Sequence, residues 1–346
     1  VKNETQEKAG FKELIAQIGP FSAAGRPAEL FAATIAQSVG YLDSQAAVDS
    51  LHADPYWPKW NSPWWHMTLL LEMGMAEKIP AGARTAFQSV AREHYISVFP
   101  LREEEIPPGC DTTRNIYCHC ALGTALQILE AGGSRSDEVI AWVRPWFARY
   151  QIADGGYNCT ESVYLKETPR SSIVSTLPML EALLKLSERG LAGAEEELLN
   201  RGVQYLLNRR LFKSLSKKDA VIDPDFLMLT FPRFYEYDVL RGLRLVTDWA
   251  VKRKKNLPFA AIEEAFQLIA AKVKGGQLHI ERQFYAGKRT LAQEKYGQWS
   301  RGHDVSLFPL LEAAGALGAP SPFLTQSFAQ VVENLQVLDD SGLIEF

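Results

Sequence analysis

Apolar helical segments carrying the same Leu-Glu pattern recur along most of this chain, and that recurrence restricts the fold more than any other feature. Leu71-Glu72-Met73-Gly74, Leu129-Glu130-Ala131-Gly132, Leu180-Glu181-Ala182 and Leu311-Glu312-Ala313 each end or punctuate such a segment. The first three lie about 50–60 residues apart and the fourth follows after about two further intervals, a period typical of stacked helical hairpins. Another apolar segment, 237–249, falls inside the long gap. Pro178 and Pro309 precede the pattern in the same register. Proline is tolerated near the first turn of a helix, so both helices are expected to begin just upstream. Ser62 and Pro63 fit a cap and first position for the first of these helices.

Each apolar segment is followed by an amphipathic one: 81–99, 136–150, 193–208, 259–273 and 322–335. A helix that is apolar all round is buried, and one with a single apolar face lies outside. Alternation of the two predicts an all-α chain of hairpins packed side by side, either an open solenoid or a closed ring. Five clear pairs, with a sixth from the N-terminal segments 12–18, 28–39 and 44–52, favour an α/α toroid of five to six inner/outer helix pairs. Residues 1–54 are expected to join the ring and residues 55–346 to form its body, as one domain. Strand signals are scarce.

The bulk properties narrow the partners. With 47% hydrophobic and 23% charged residues the chain reads as globular. A net charge of -4 gives no basic field for nucleic acid. No apolar run is long enough to span a membrane. Residues 1–8 are polar and lack a signal-peptide pattern, so the expected compartment is the cytoplasm, with removal of a leader left open by the absence of a starting Met. Four cysteines in 346 residues do not make a disulfide scaffold.

The chemistry concentrates between Cys110 and Cys159, which includes all four cysteines. Cys118, Cys120 and Cys159 suit a zinc ion, which takes four N, S or O ligands; buried free thiols are the plain alternative. Residues i and i+2 do not share a helix face, so Cys118 and Cys120 can reach one ion only if the helix starts near His119. The fourth position is open to His303, Asp238, Cys110 or water. His119 and His303 are candidates for proton transfer, or for ordinary hydrogen bonds at helix starts. Asp238 and Asp304 are expected at the heads of inner helices, as general acids or as partners of the helix dipole. Trp57, Trp60, Trp64, Trp65, Tyr117, Tyr235, Tyr237 and Trp299 fit an aromatic wall for substrate, and Arg114, Arg233 and Arg241 an anion clamp. Asp154 belongs to the turn Asp154-Gly155-Gly156-Tyr157.

Three segments resemble the terpenoid cyclase and protein prenyltransferase superfamily. Trp142 through Gln151 to Asp154-Gly155-Gly156-Tyr157 looks like the glutamine–tryptophan repeat of triterpene cyclases, with Tyr157 in place of Trp. Ser171 to Thr176 before Leu180-Glu181-Ala182, and Phe231 to Leu243, look like inner-helix starts of that group. The resemblance spans roughly 57–316 and implies a toroid around an apolar isoprenoid-type substrate, with zinc as an implied cofactor. Cys118-His119-Cys120 sits where a prenyltransferase has its Asp-x-Cys metal pair, while Val174 stands where a His is expected. Asp223-Pro224-Asp225 lacks the third Asp of a cyclase acid motif. Two other functions stay open: a non-catalytic binding module that kept the ring, and a carbohydrate-active toroid with paired carboxylates.

Overall fold

The computed structural model describes residues 4–18, 20–21, 27–93, 99–100, 102–112, 114–285 and 287–346. Parts of two expected features, the break at 20–27 and the end of helix 81–99, lie outside the described residues. Helix accounts for 56% of the structure, and strands are few and short. Among the described residues the α-helices are α1 (Glu4–Gln17), α2 (Pro27–Leu30), α3 (Ala32–Leu42), α4 (Gln45–Ala53), α5 (Pro63–Glu72), α6 (Ala81–Glu93), α7 (His119–Ala131) and α8 (Ser136–Val139). They continue with α9 (Val143–Tyr150), α10 (Ile173–Leu186), α11 (Gly193–Asn208), α12 (Val239–Arg253), α13 (Glu263–Ala270), α14 (Pro309–Ala314) and α15 (Pro322–Asp340). Of the strands, β1 (Leu257–Pro258) pairs in parallel with β4 (Ile344–Glu345), and β2 (Arg289–Gln293) pairs antiparallel with β3 (Trp299–Asp304). The fold is predominantly α-helical, as the periodicity predicts.

The expected alternation is present. α5, α7, α10 and α12 bury side chains on every face. α6 and α13 each bury one face, at spacings of three and four residues. Helix 193–208 appears with those bounds as α11. Helix 136–150 is split into α8 and α9. Pro145 lies in the first turn of α9, where its missing N–H needs no partner, and it cannot continue a helix from upstream. Ser62 and Pro63 stand at the start of α5, yet the Ser62 hydroxyl donates to the carbonyls of Pro55 (3.0 Å) and Tyr56 (2.9 Å) instead of accepting from the helix. It thereby fastens the aromatic segment before α5.

One of the two prolines departs from the proline argument. α14 does begin at Pro309, but α10 begins at Ile173 and leaves Pro178 in its interior. There α7 crosses α10 so closely that a Cβ on Gly123 would overlap the Pro178 backbone carbonyl. Gln127 of α7 also donates to that carbonyl, at 3.1 Å. The crossing therefore needs a residue without a side chain on α7.

Replacing Gly123 with Ala is expected to destabilise the protein by about 1–3 kcal/mol through overpacking at this crossing. Gly82 in α6 has open space around it, so Gly82→Ala should be neutral or stabilising by up to about 1 kcal/mol. Urea unfolding of both variants checks the contrast.

Candidate metal centre

Cys118 is the cap residue of α7, with extended backbone (φ -76°, ψ 160°), and Cys120 is the second residue of the helix. Leaving the helix at His119 turns two sulfurs that a continuous helix would separate toward each other, and they lie 3.2 Å apart. Cys159 arrives from the turn after α9. That turn depends on Gly155, whose φ is +98°, and on Gly156, where a side chain would overlap Ser171 and Thr176. Asp154 accepts from Gly156 N–H (3.3 Å) and from the Ser171 hydroxyl, in the turn role expected of it.

Three hydrogen bonds seat Cys159 beside α7. His119 Nδ1 lies 2.6 Å from the Asn158 carbonyl, Cys159 N–H donates to Ser175 Oγ of α10 at 3.0 Å, and Cys120 N–H points at Cys159 Sγ at 3.4 Å. All three sulfurs then lie within 4.8 Å of one another, a group able to hold a metal ion. Hydrogen bonding among the three sulfurs holds the Cys118 thiol well below its ordinary range and pushes Cys120 up. The Ala121 amide adds to the effect on Cys118. A thiolate at a helix N-terminus is the ionised form that ligates metals.

Beside Cys120 lies an aromatic box with Tyr56, Trp64, Trp65, Phe234 and Tyr235 on its walls, enclosing only about 10 Å³ of free space. Thr68, Thr124 and Phe234 also line a second cavity of about 300 Å³ nearer the C-terminal ends of α5, α7 and α12. Its walls are charged. Arg241 grips Glu181 with two bonds (2.8 and 2.7 Å), and Glu72 accepts from the amides of Arg233 (2.8 Å) and Phe234 (2.5 Å).

The structure brings together Cys118, Cys120, Cys159, Trp64, Trp65 and Tyr235, and disperses the other expected site residues. Asp238 does begin its helix, but its carboxylate is fully buried and used by Arg241 N (2.8 Å), Thr230 N (3.2 Å) and Arg233 Nε (2.9 Å). Tyr237 donates to the Leu211 carbonyl inside the core (2.8 Å). Arg233 and Arg241 line the charged cavity, and Tyr117 is buried near Trp142 with its ring 6.4 Å away. Trp299, His303 and Asp304 are not at a helix start. They form β3, turned at Gly297 (φ +76°), with Asp304 exposed against Arg289 (2.7 Å) and His303 against Ser300 (2.6 Å). The metal-binding group among the described residues includes none of His303, Asp238 and Cys110. Three residues of the site were not singled out in the sequence, Tyr56, Lys59 and Phe234; the signal for Lys59 was a lone Lys inside an aromatic run. No protein-family model, curated protein or solved structure matches the chain.

Two histidines are buried in the core. His119 is fully buried among Phe99, Tyr150 and Tyr157, and burial lowers its pKa to about 4. His66 stacks on Phe308 with ring centroids 3.7 Å apart and lies 2.6 Å from Ser38 Oγ; burial lowers its pKa to about 3. An unfolded chain takes up the His66 proton near pH 6.5, the folded one only near 3. Stability from the neutral ring is therefore present above about 6.5 and lost as pH falls toward 3. The stability advantage of the wild type over His66→Gln should narrow by about 2 kcal/mol between pH 7 and pH 5, as read by urea unfolding at both values.

Proposed function

We propose that the chain is a zinc-thiolate enzyme built on an α/α toroid, with Cys118, Cys120 and Cys159 as protein ligands and the fourth position left to substrate. One observation carries this reading: three sulfurs converge from two segments with no fourth protein donor in their group among the described residues. Their spacing fits the ion. Zinc–sulfur bonds of about 2.3 Å put the edge of the tetrahedron at about 3.8 Å, inside the observed range of 3.2 to 4.8 Å. Three protein ligands and an open position are the pattern of catalytic zinc, whereas structural sites are closed by four.

The toroid is supported by the order of contacts. α5 packs on α7, α7 on α10 and α10 on α12, while α14 packs on α3, which packs on α5. Near the chain ends, Phe11 of α1 packs edge-on against Phe346 at 5.5 Å. Bound at the thiols, zinc supplies Lewis acidity and activation of a thiol or water. The chain's own residues do the rest. His119 and Ser175 hold the turn that presents Cys159, and the aromatic box excludes water and offers π faces to a developing cation, worth about 0.5–2 kcal/mol each. An apolar isoprenoid-type substrate suits such walls, entering by displacing side chains from the filled box.

That same fullness favours a second reading, a non-catalytic module in which the metal staples α7 to the following turn. A carbohydrate-active ring has its own support in the charged cavity with Glu72 and Glu181 on its walls.

Protein purified without chelator or metal-binding tag should hold close to one zinc per chain, and Cys118→Ser should lose it, since a neutral hydroxyl replaces a soft charged ligand. Elemental analysis below about 0.2 zinc per chain removes the metal reading, because a tight thiolate site stays nearly full. With zinc bound, long-chain prenyl compounds should raise the melting temperature by ligand linkage. A shift with sugars alone favours the carbohydrate reading, and no shift with either favours the module.

A further inference from the structure

Lys59 occupies an unusual place for an ammonium group. Its Nζ lies 4.7 to 5.7 Å from the ring centroids of five aromatic residues: Tyr235, Trp60, Tyr56, Trp57 and Trp65. Tyr56, Trp65 and Tyr235 are also walls of the box that Cys120 lines, so the cation and the sulfur share three aromatic neighbours. The ammonium donates to Tyr235 Oη at 3.1 Å, and the Lys59 backbone N–H donates to Thr290 Oγ1 at 2.7 Å. Among the described residues no carboxylate is within ion-pair distance of it. Burial draws its pKa down to about 8, and among nearby groups Cys120, Cys118 and Glu236 favour the ammonium while Lys288 opposes it.

An ammonium removed from water without a carboxylate partner is costly unless another negative charge is present. The box provides π faces but no anion. The thiols supply the negative charge: three thiolates and Zn²⁺ leave one net negative charge, and the thiols still protonated release their protons as the ion binds. We propose that Lys59 is the resident counter-cation of a tris-thiolate complex at Cys118, Cys120 and Cys159, and that it biases the site toward ions whose complex is anionic. The assignment rests on the metal reading above and adds its charge partner, a positioning role that touches no ligand atom. It also explains why a lone Lys interrupts an otherwise aromatic run.

Charge makes the test specific. Zinc gives an anionic tris-thiolate. Arsenite gives a neutral one, As(OH)₃ and three thiols forming As(SR)₃ and three waters, with no change of oxidation state. The full reduced chain, its Lys59→Met variant and its Lys59→Arg variant are titrated with zinc against a chromophoric chelator, and separately with arsenite. Methionine keeps an unbranched stem among the rings and removes the charge together with the bond to Tyr235 Oη. Lys59→Met should weaken zinc binding about 10- to 100-fold, as other outer partners of metal ligands do, while leaving arsenite binding within about twofold. Lys59→Arg should retain zinc binding, because guanidinium also rests on aromatic faces. Equal weakening of both ions by Lys59→Met means that the residue shapes the site by packing, and overturns the proposal. So does unchanged zinc affinity, or an Arg variant as weak as the Met variant. A wild type that binds no zinc removes the metal reading itself, and this assignment with it.

Discussion

The contact between α7 and α10 is the constraint on which the rest depends. It is short because Gly123 carries no side chain and Pro178 presents its carbonyl there. That closeness sets Ser175 on α10 where it can receive the Cys159 amide, and His119 on α7 where it can hold the Asn158 carbonyl. Helix packing thus fixes the positions of three sulfurs that come from separate parts of the chain. A looser crossing would leave the same residues in the sequence and separate them in space.

A second layer of control comes from buried charge. Arg241 reaches Glu181 on α10 and the carbonyls of Phe234 and Glu236, while Arg233 pairs with Asp238. Buried ion pairs add little net stability and specify geometry instead. Here the geometry specified is that of residues 231–237, which deliver Phe234 and Tyr235 to the aromatic box. The charged cavity and the box beside the thiols are consequently joined through one loop, since Phe234 lines both.

The parts of this architecture that were legible in the sequence are local ones. Helical periodicity located the buried helices, and the i, i+2 argument made a helix start near His119 the condition for Cys118 and Cys120 to meet, a condition that α7 satisfies. The turn at Asp154 was marked by two glycines. What was illegible depends on partners far away in the chain. Residues 289–304 have no helical period, but nothing local shows that they pair as a hairpin, so His303 and Asp304 read as a helix head. Among the repeated glutamates, Glu72 and Glu181 face the charged cavity, whereas Glu130 holds Ser136 and Arg189. The repeat could not separate them, because the difference lies in which arginine arrives from elsewhere. Nothing local to Lys59 marks the five rings around it, one of which, Tyr235, comes from far along the chain.

The loop at Arg233 and Phe234 has one more consequence. Phe234 takes a φ of +53°, a conformation costly for a bulky residue, and this turns two successive amides onto a single carboxylate, that of Glu72. Consecutive amides in such a turn form a receptor for anions. In this chain the receptor is filled from within, by a side chain of the neighbouring helix that burial makes reluctant to ionise. Residue 72 is therefore an intramolecular ligand. Shortening it to glycine would leave an empty receptor of carboxylate size, one that formate from solution could fill and so restore the loop.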